Sequence, residues 1–426
     1  MPKLKRRIGL IETTIYGVGI ILGAGIYVLI GEAASIAGNS VWISFIIGAI
    51  LASFTGLSYA ELSSMYPKAA AEYVYVKKAS ASKCLAFLIG WLIIFTEVVS
   101  ASAVSLGFAS YLNGLFGLPI ILTAICLIAI LSFVNFIGIK QSSELNIIFT
   151  GIEILGLLLI IFLGFTFGNI KGTNYFDFSF GLKGIFAATA LIFFAYIGFE
   201  DIANVAEETK NPRKVLPRAI ILAIVITTLL YILTAVSTVS LANYQDLGTS
   251  TSPLAYAASQ VLGDKAFLIL SFIALFATAN TVLILLIVNS RIMYGMANDR
   301  SLPSILSTVH KKTGTPWAAI IVSMILPILF VLIGKIDIVA RITSLGAFIT
   351  FAFVNASLIW LRYKHPDLHR PFKVPVNIGN LPVIAVLGLF TCSFMIFQFN
   401  LTVLLFGFLI ICSGMFVYRL RKEKII

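Results

Sequence analysis

The sequence predicts an all-α membrane protein of twelve transmembrane helices, with a five-plus-five inverted-repeat core and two further helices. Three observations support this prediction. The chain of 426 residues is 59% hydrophobic and only 11% charged, whereas a soluble domain carries about 25% charged residues. Twelve apolar runs approach or exceed the roughly 20 residues that cross a hydrocarbon layer of about 30 Å. Glycines interrupt the first and sixth runs, which are therefore predicted to be discontinuous helices.

The apolar runs leave no room for a soluble domain. Their limits are approximately 10–36, 41–64, 84–113, 119–138, 144–167, 184–206, 216–241, 265–297, 316–333, 337–361, 381–397 and 400–418. The first ten form two groups of five, and an odd group size makes the second group start from the opposite side of the bilayer. We therefore predict a single multi-pass domain over 1–426, with repeat one at 10–167, repeat two at 184–361 and additional helices at 381–418.

Two polar loops provide weaker support for the repeat. MYPKAAAEYVYVKKAS follows span two and TSTSPLAYAASQVLG follows span seven. Each combines a proline with an amphipathic stretch rich in alanine and tyrosine, which predicts a short surface helix. The alternative is that any polar loop collects such residues.

The basic residues predict the orientation in the membrane. With the N-terminus inside, 25 of the 30 lysines and arginines fall on alternate, cytoplasmic loops, and the exceptions are Lys171, Lys183, Lys265, Lys335 and Arg341. The positive-inside rule then places both termini in the cytoplasm of a cell-membrane protein. The net charge of +12 is explained by this pattern, so we expect the lipid bilayer as a partner and no nucleic acid. The sequence does not indicate an oligomeric state.

The sequence carries no sign of enzymatic chemistry. It lacks a P-loop, an H-E-x-x-H motif and a serine elbow. The four cysteines show no metal or redox spacing, and the three histidines lie in predicted cytoplasmic loops. We therefore expect neither an enzyme nor a cofactor or metal site.

The break in span one predicts a site for an anion. Gly23, Ala24 and Gly25 lie near the middle of this span. Unwinding here exposes N–H groups at the start of the following half-helix, whose positive dipole end suits a carboxylate. The alternative is close helix packing by small residues, which is common in membranes.

The break in span six predicts a site for a cation. The stretch FFAYIGFED, Phe193 to Asp201, offers backbone carbonyls to an amine, with aromatic rings beside them. An aromatic-rich core helix is the alternative, but it does not explain two adjacent acids at membrane depth, which are costly and commonly functional. Together the two breaks suit an α-amino acid.

Several segments resemble a known family. FFAYIGFEDIANVAEETKNPRKVLPRAI resembles the sixth-span signature of the amino acid–polyamine–organocation (APC) superfamily. GVGIILGAGIYVLIGEAASIAG, SYAELSSMYPKAAAEYVYV and FLIGWLIIFTEVVSASAV are similar to the cationic amino acid transporter branch and its prokaryotic relatives. The resemblance covers most of 9–315 and weakens beyond 316. It implies a secondary active amino acid transporter that works by alternating access, and we expect proton-coupled symport.

The resemblance also implies site residues. The backbone that binds the substrate carboxylate falls on Ile21, Gly23, Ala24 and Gly25, and the carbonyls and aromatic gate for the amine fall on Phe193, Phe194, Ala195 and Ile197. Glu200 matches an acidic position at the end of the unwound stretch. Structural or gating roles are implied for Glu207, Glu208, Asn211, Pro212, Arg213, Tyr59, Glu61, Pro67 and Tyr73.

Three intramembrane acids are candidates for proton coupling: Glu153, Glu97 and Glu200. Glu97 matches a glutamate of the cationic branch, whereas Glu153 occupies a position where many relatives carry a lysine thought to replace a sodium ion. Our hypothesis is that Glu153, coupled to Glu97, carries the proton. The alternative is that Glu153 faces water at the cytoplasmic end of span five.

The sequence is also compatible with other functions. Sodium coupling is the second choice, with Thr278, Asn280 and Thr281 as oxygen ligands, and an exchanger is also compatible. A non-transporting amino acid sensor, a channel and a membrane enzyme follow in that order. Ala101, Ser102 and Ser105 suggest a small side-chain pocket, which favours neutral amino acids over cationic ones.

Overall fold

The computed structural model describes residues 4–250, 252–332, 337–399 and 401–423. The helices are α1 Leu10–Ala37, α2 Val41–Met65, α3 Ala71–Ser80, α4 Lys83–Phe116, α5 Ile120–Ile137, α6 Ile139–Phe167, α7 Gly181–Ile192, α8 Asp201–Asn204, α9 Pro212–Leu241, α10 Tyr244–Thr249, α11 Pro253–Leu262, α12 Asp264–Asn298, α13 Trp317–Val331, α14 Asp337–Lys364, α15 Val383–Ile396 and α16 Leu401–Glu423. A small antiparallel hairpin joins β1, Asn377–Ile378, to β2, Leu381–Pro382. The predicted external Lys335 lies outside the described residues, as does the side chain of Arg341.

The predicted all-α membrane class is confirmed. Within the described chain, ten helices are long and apolar enough to cross a membrane. The predicted ninth and eleventh spans form the shorter apolar helices α13 and α15, of 15 and 14 residues. The number of twelve spans and the inverted repeat therefore stay predictions.

Both predicted helix breaks are present, and each contains a glycine with positive φ. Inside α1, Gly23 leaves the helical conformation with φ 28° and ψ −147°. Span six is divided into α7, a 3₁₀ turn over Phe193–Tyr196 and α8, and Gly198 between the last two has φ 126°. Residues with a Cβ rarely adopt such positive φ values, so glycine permits the chain to turn at these points.

The broken segments lie at the centre of the bundle. Helix α1 packs against α6, α7, α9 and α12, and α4 packs against α12 and α14. The apolar window of α12 is 83% buried, whereas that of α16 is 17% buried. Helix α12 is therefore part of the core, and α16 presents most of its apolar surface to the outside of the bundle.

Buried ion pairs connect helices and loops that are distant in the sequence. The Arg291 guanidinium donates to both oxygens of Glu208, each at 2.9 Å, and to Asn135 Oδ1 at 2.5 Å. Glu61 pairs with Arg362 at 2.6 Å and with Arg370 at 3.1 Å. Because each buried charge has a partner, these networks avoid the cost of an isolated charge.

Both polar loops contain the predicted short helices, α3 and α11. However, α3 does not lie on the surface, because most of its residues are buried, among them Glu72, Tyr73 and Tyr75. The side chain of Asn204 in α8 donates to both oxygens of Glu72 at 3.2 Å and accepts from the Ala71 N–H at 2.9 Å. Helix α3 is thus tied to the broken sixth span.

This contact predicts a pH-dependent stability. Burial raises the pKa of Glu72 from 4.5 to about 7, against the opposing effect of the Asn204 hydrogen bonds. Because the folded protein holds the proton more tightly than the unfolded chain, the stabilisation is complete below pH 4.5 and is lost as the pH rises through about 7. The effect is at most about 3 kcal/mol.

Thermal unfolding of the purified protein in detergent between pH 5 and 8 measures this effect. We expect Glu72→Gln, which retains an acceptor for Asn204, to flatten the fall in melting temperature. Glu144→Gln is the control, because Glu144 is 59% exposed, and it should keep the wild-type profile. Identical profiles for wild type and Glu72→Gln would contradict the prediction.

Candidate functional site

A buried cavity of about 90 Å³ lies where the two helix breaks meet. Helices α1, α4, α12 and α14 and the segment between α7 and α8 form its walls. Its lining residues are Ile20, Ile21, Gly25, Ile93, Thr96, Glu97, Ser100, Val104, Phe194, Ala195, Ile197, Gly198, Glu200, Asp201, Thr281, Leu285, Thr343, Ala347, Thr350 and Phe351. Most of this surface is apolar, with hydroxyl and carboxyl groups at a few points.

One hydroxyl group joins the two breaks. The buried Tyr231 of α9 places its Oη 2.5 Å from the carbonyl oxygen of Ile21 and 2.9 Å from that of Ala195. A hydroxyl has a single proton, so Tyr231 donates to one of these carbonyls at a time. The other carbonyl oxygen can then accept a hydrogen bond from a ligand.

Gly25 allows the two backbones to approach each other. A Cβ at this position would lie 2.9 Å from the Cβ of Ala195 and 3.0 Å from its Cα, which is too close for a normal contact. The absence of a side chain at Gly25 therefore sets the distance between α1 and the unwound part of span six.

The structure brings most of the predicted substrate residues to the cavity. Ile21, Gly25, Phe194, Ala195 and Ile197 all line it. Gly23 forms the break without lining the cavity, and a Cβ there would lie 2.7 Å from Thr281 Oγ1. The backbone of Ala24 is part of α1, and its side chain lies outside the described residues.

Phe193 is placed differently from its neighbour Phe194. It is 1% exposed and stacks on Phe348 of α14, with ring centroids 4.9 Å apart. Phe193 therefore packs outside the cavity lining, whereas Phe194 is part of the lining.

Three acids share the cavity. Glu97 and Glu200 line it as candidates named from the sequence, and Asp201 joins them. Glu200 accepts a hydrogen bond of 2.8 Å from the Gly198 N–H. Glu97 Oε2 and Asp201 Oδ1 are buried without a hydrogen-bond partner among the described residues. Of these residues, no lysine, arginine or histidine lines the cavity. This cavity therefore carries uncompensated acidic groups.

The residues predicted for the side-chain pocket lie on a different face of α4. Ala101, Ser102 and Ser105 do not line the cavity. The Ser102 hydroxyl lies within hydrogen-bond distance of the Val98 and Pro327 carbonyl oxygens and can donate to one of them at a time. The lining face consists of Ile93, Thr96, Glu97, Ser100 and Val104, which follow one another at helical spacing. Ala101 and Ser105 lie four and eight residues after Glu97, so helical spacing alone does not separate the two faces.

Glu153 lies in a separate polar cluster. Its Oε1 accepts a hydrogen bond of 3.0 Å from Asn280, which also donates to Thr150 at 3.0 Å, and Asn146 donates to Asn280 Oδ1 at 2.8 Å. Glu153 is fully buried, so the alternative that it faces water is wrong. It does not line the cavity that contains Glu97.

The Glu153 cluster contacts α1, the broken first helix. Tyr27 of α1 donates to the Glu153 carbonyl oxygen at 2.8 Å. A Cβ at Gly19 would lie 2.2 Å from Thr150 Oγ1, so α1 passes directly over this cluster. A change of charge at Glu153 would therefore act on the same helix that forms the cavity.

Comparison with known proteins identifies the family. The amino acid permease family model matches residues 8–418. The chain belongs to the amino acid permease family. This permease is 31% identical to the branched-chain amino acid permease BcaP of Bacillus subtilis (strain 168) over 99% of the chain and 94% of that protein.

Other relatives carry different names. The permease is 29% identical to the methylthioribose transporter of Bacillus subtilis (strain 168), over 99% of the chain and 94% of that protein. It is 31% identical to the vacuolar cationic amino acid transporter 4 of Arabidopsis thaliana, over 86% of the chain and 64% of that protein. These matches confirm the predicted superfamily and show that the permease is a multi-pass amino acid transporter rather than an enzyme.

The Gly25 contact gives a prediction for the permease. Gly25→Val should abolish amino acid binding and transport, because the new side chain meets the Ala195 backbone at 3.0 Å. Membrane insertion should be retained, since valine is apolar. Uptake per inserted molecule measures the effect, and Gly107→Val is the control, because a Cβ at Gly107 has nothing within 4 Å. A Gly25→Val variant with wild-type uptake would refute this placement of the site.

Proposed function

We propose that this permease is a secondary active transporter that moves α-amino acids by alternating access and is driven by a proton gradient. One observation carries the proposal. Two glycine-broken helices face the same buried cavity, and breaks at membrane depth are tolerated where the freed backbone lines a binding site.

The two breaks suit the two charged ends of an α-amino acid. The half-helix after Gly23 directs its N–H groups and positive dipole end toward a carboxylate. Across the cavity, the carbonyl groups near Phe194 and Ala195 and the carboxyl groups of Glu97 and Asp201 suit an ammonium group. The Phe194 ring closes over the bound molecule.

The lining favours a small neutral substrate. Ile20, Ile93, Val104, Leu285 and Ala347 supply apolar surface for a side chain, and the cavity is small. The name of the branched-chain relative agrees with this choice, whereas that of the plant relative favours cationic amino acids.

The acids support proton coupling. A zwitterion brings no net charge, so it cannot offset three carboxyl groups in one cavity. An uncompensated buried carboxylate is costly, so such a group holds a proton or a cation. We propose that Glu97 and Glu200 respond to the substrate directly, while Glu153 acts through its contacts with α1.

Sodium coupling is a second candidate, supported by the Glu153 cluster. Glu153 Oε2 and Asn146 Oδ1 are buried there without a hydrogen-bond partner among the described residues. Hard cations take oxygen ligands of this kind. Asn280, expected as a ligand, belongs to this cluster, whereas the hydroxyls of Thr278 and Thr281 donate within their own helix.

Uptake of a labelled amino acid mixture into proteoliposomes tests the proposal. We expect uptake above the level of empty vesicles, increased by an inward proton gradient and unchanged by sodium. Stimulation by sodium alone would establish the second candidate. Uptake that requires preloaded amino acid would identify an exchanger, and binding without uptake a sensor, so either result would contradict proton symport.

A substitution in α6 tests the role of Glu153. Glu153→Gln keeps an acceptor for Asn280 but cannot release a proton, so uptake should lose its stimulation by the proton gradient. Initial uptake rates between pH 5 and 8 measure this loss. Glu144→Gln is the matched control on the same helix, since Glu144 is exposed and pairs with Lys140. Proton stimulation that survives in Glu153→Gln would exclude Glu153 as the proton carrier.

A further inference from the structure

Two adjacent cavities lie away from the substrate site, where the end of α5 meets the start of α13. One has a volume of about 410 Å³ and is mainly apolar, with Ala129, Phe133, Phe136, Trp317, Ile321 and Met324 in its lining. The other has a volume of about 310 Å³ and is lined by Lys5, Arg7, Lys140 and Lys312, together with Gln141 and Gly138. We call them the apolar groove and the basic cavity.

A common wall separates the groove from the basic cavity. The rings of Phe136 and His310, which both line the groove, lie 5.3 Å apart. His310 Nδ1 is 3.1 Å from the hydroxyl of Thr313, which lines the basic cavity. Thr315 donates to the Phe136 carbonyl oxygen at 2.9 Å. The two cavities are therefore held side by side by one set of contacts.

The basic cavity has a strong excess of positive charge. Among the described residues, its lining contains no aspartate or glutamate. Lys140 forms an ion pair with Glu144 at 3.6 Å, with side chains 65% and 59% exposed, and exposed pairs of this kind contribute little. Lys5 Nζ donates to the Lys312 carbonyl oxygen at 2.9 Å, which brings these two segments together. The cavity thus suits an anion.

The groove has the opposite character and opens to the outside of the bundle. Phe133 is 63% exposed, Ile321 42% and Trp317 37%. These side chains belong to the membrane helices α5 and α13, so they face hydrocarbon when the protein is in a bilayer. A ligand that fills both cavities has an anionic head and an apolar tail.

We propose that the groove and the basic cavity together bind an anionic phospholipid. The phosphate-bearing head group lies among Arg7, Lys140 and Lys312, and an acyl chain lies in the groove between α5 and α13. Basic cavities between membrane helices at the cytoplasmic surface are a recognised setting for anionic head groups. Free phosphate would account for the basic cavity alone, whereas the lipid accounts for both.

Native mass spectrometry of the full chain, released from detergent with added lipid, tests this site. The probes are phosphatidylglycerol and phosphatidylcholine with identical acyl chains. Wild type should retain phosphatidylglycerol preferentially. The variant Arg7→Gln/Lys140→Gln/Lys312→Gln should lose about tenfold or more of this preference, since each basic residue near an anionic head group contributes appreciably. The control Lys83→Gln/Lys210→Gln/Lys373→Gln removes the same charge from exposed sites outside both cavities.

A second variant separates a lipid from a free anion. Ala129→Trp fills the groove without changing charge, so it should weaken retention of phosphatidylglycerol. Inorganic phosphate is the second probe and should not displace the lipid. The proposal is overturned if the charge variant retains the lipid like wild type, or if the control loses it equally. It is also overturned if Ala129→Trp has no effect while phosphate competes.

Discussion

A backbone polar group inside a membrane must find a partner, and this requirement governs the centre of the molecule. The breaks at Gly23 and Gly198 remove regular helix bonds from two spans. The Tyr231 hydroxyl replaces part of the lost hydrogen bonding through its contacts with the Ile21 and Ala195 carbonyls. Glu200 accepts a hydrogen bond from the Gly198 N–H. Backbone of both breaks lines the cavity, where the zwitterionic ligand that we propose would supply further partners.

Buried charged groups are subject to the same requirement for a partner. Buried Arg291 and Arg362 are paired with Glu208 and Glu61, so these charges are compensated without a ligand. In the cavity, the acids have no basic partner among the described residues. Buried charge that the fold itself compensates needs no ligand, whereas the uncompensated acids of the cavity are where we propose that the substrate and coupling ion act.

The sequence predicted features that depend on local chemistry. The membrane class, the helix limits and both breaks follow from apolar runs and from glycines, whose conformations need no knowledge of neighbours. Features that depend on packing were not predictable. Whether Ser100 or Ser102 faces the cavity depends on the rotation of α4 against α12 and α14, and Phe193 turns away because Phe348 offers it a stacking partner. The burial of α3 likewise depends on its packing against α4 and α14.

The central claim is that the two breaks hold the two ends of one α-amino acid. Binding of leucine, leucinamide and 4-methylpentanoate to the purified protein tests it most directly, because the analogues lack the carboxylate or the amine. Each should bind more than about tenfold more weakly than leucine, since a buried group then stays unpaired. If leucine binds and either analogue binds equally well, the corresponding break does not contact the substrate, and the account is contradicted.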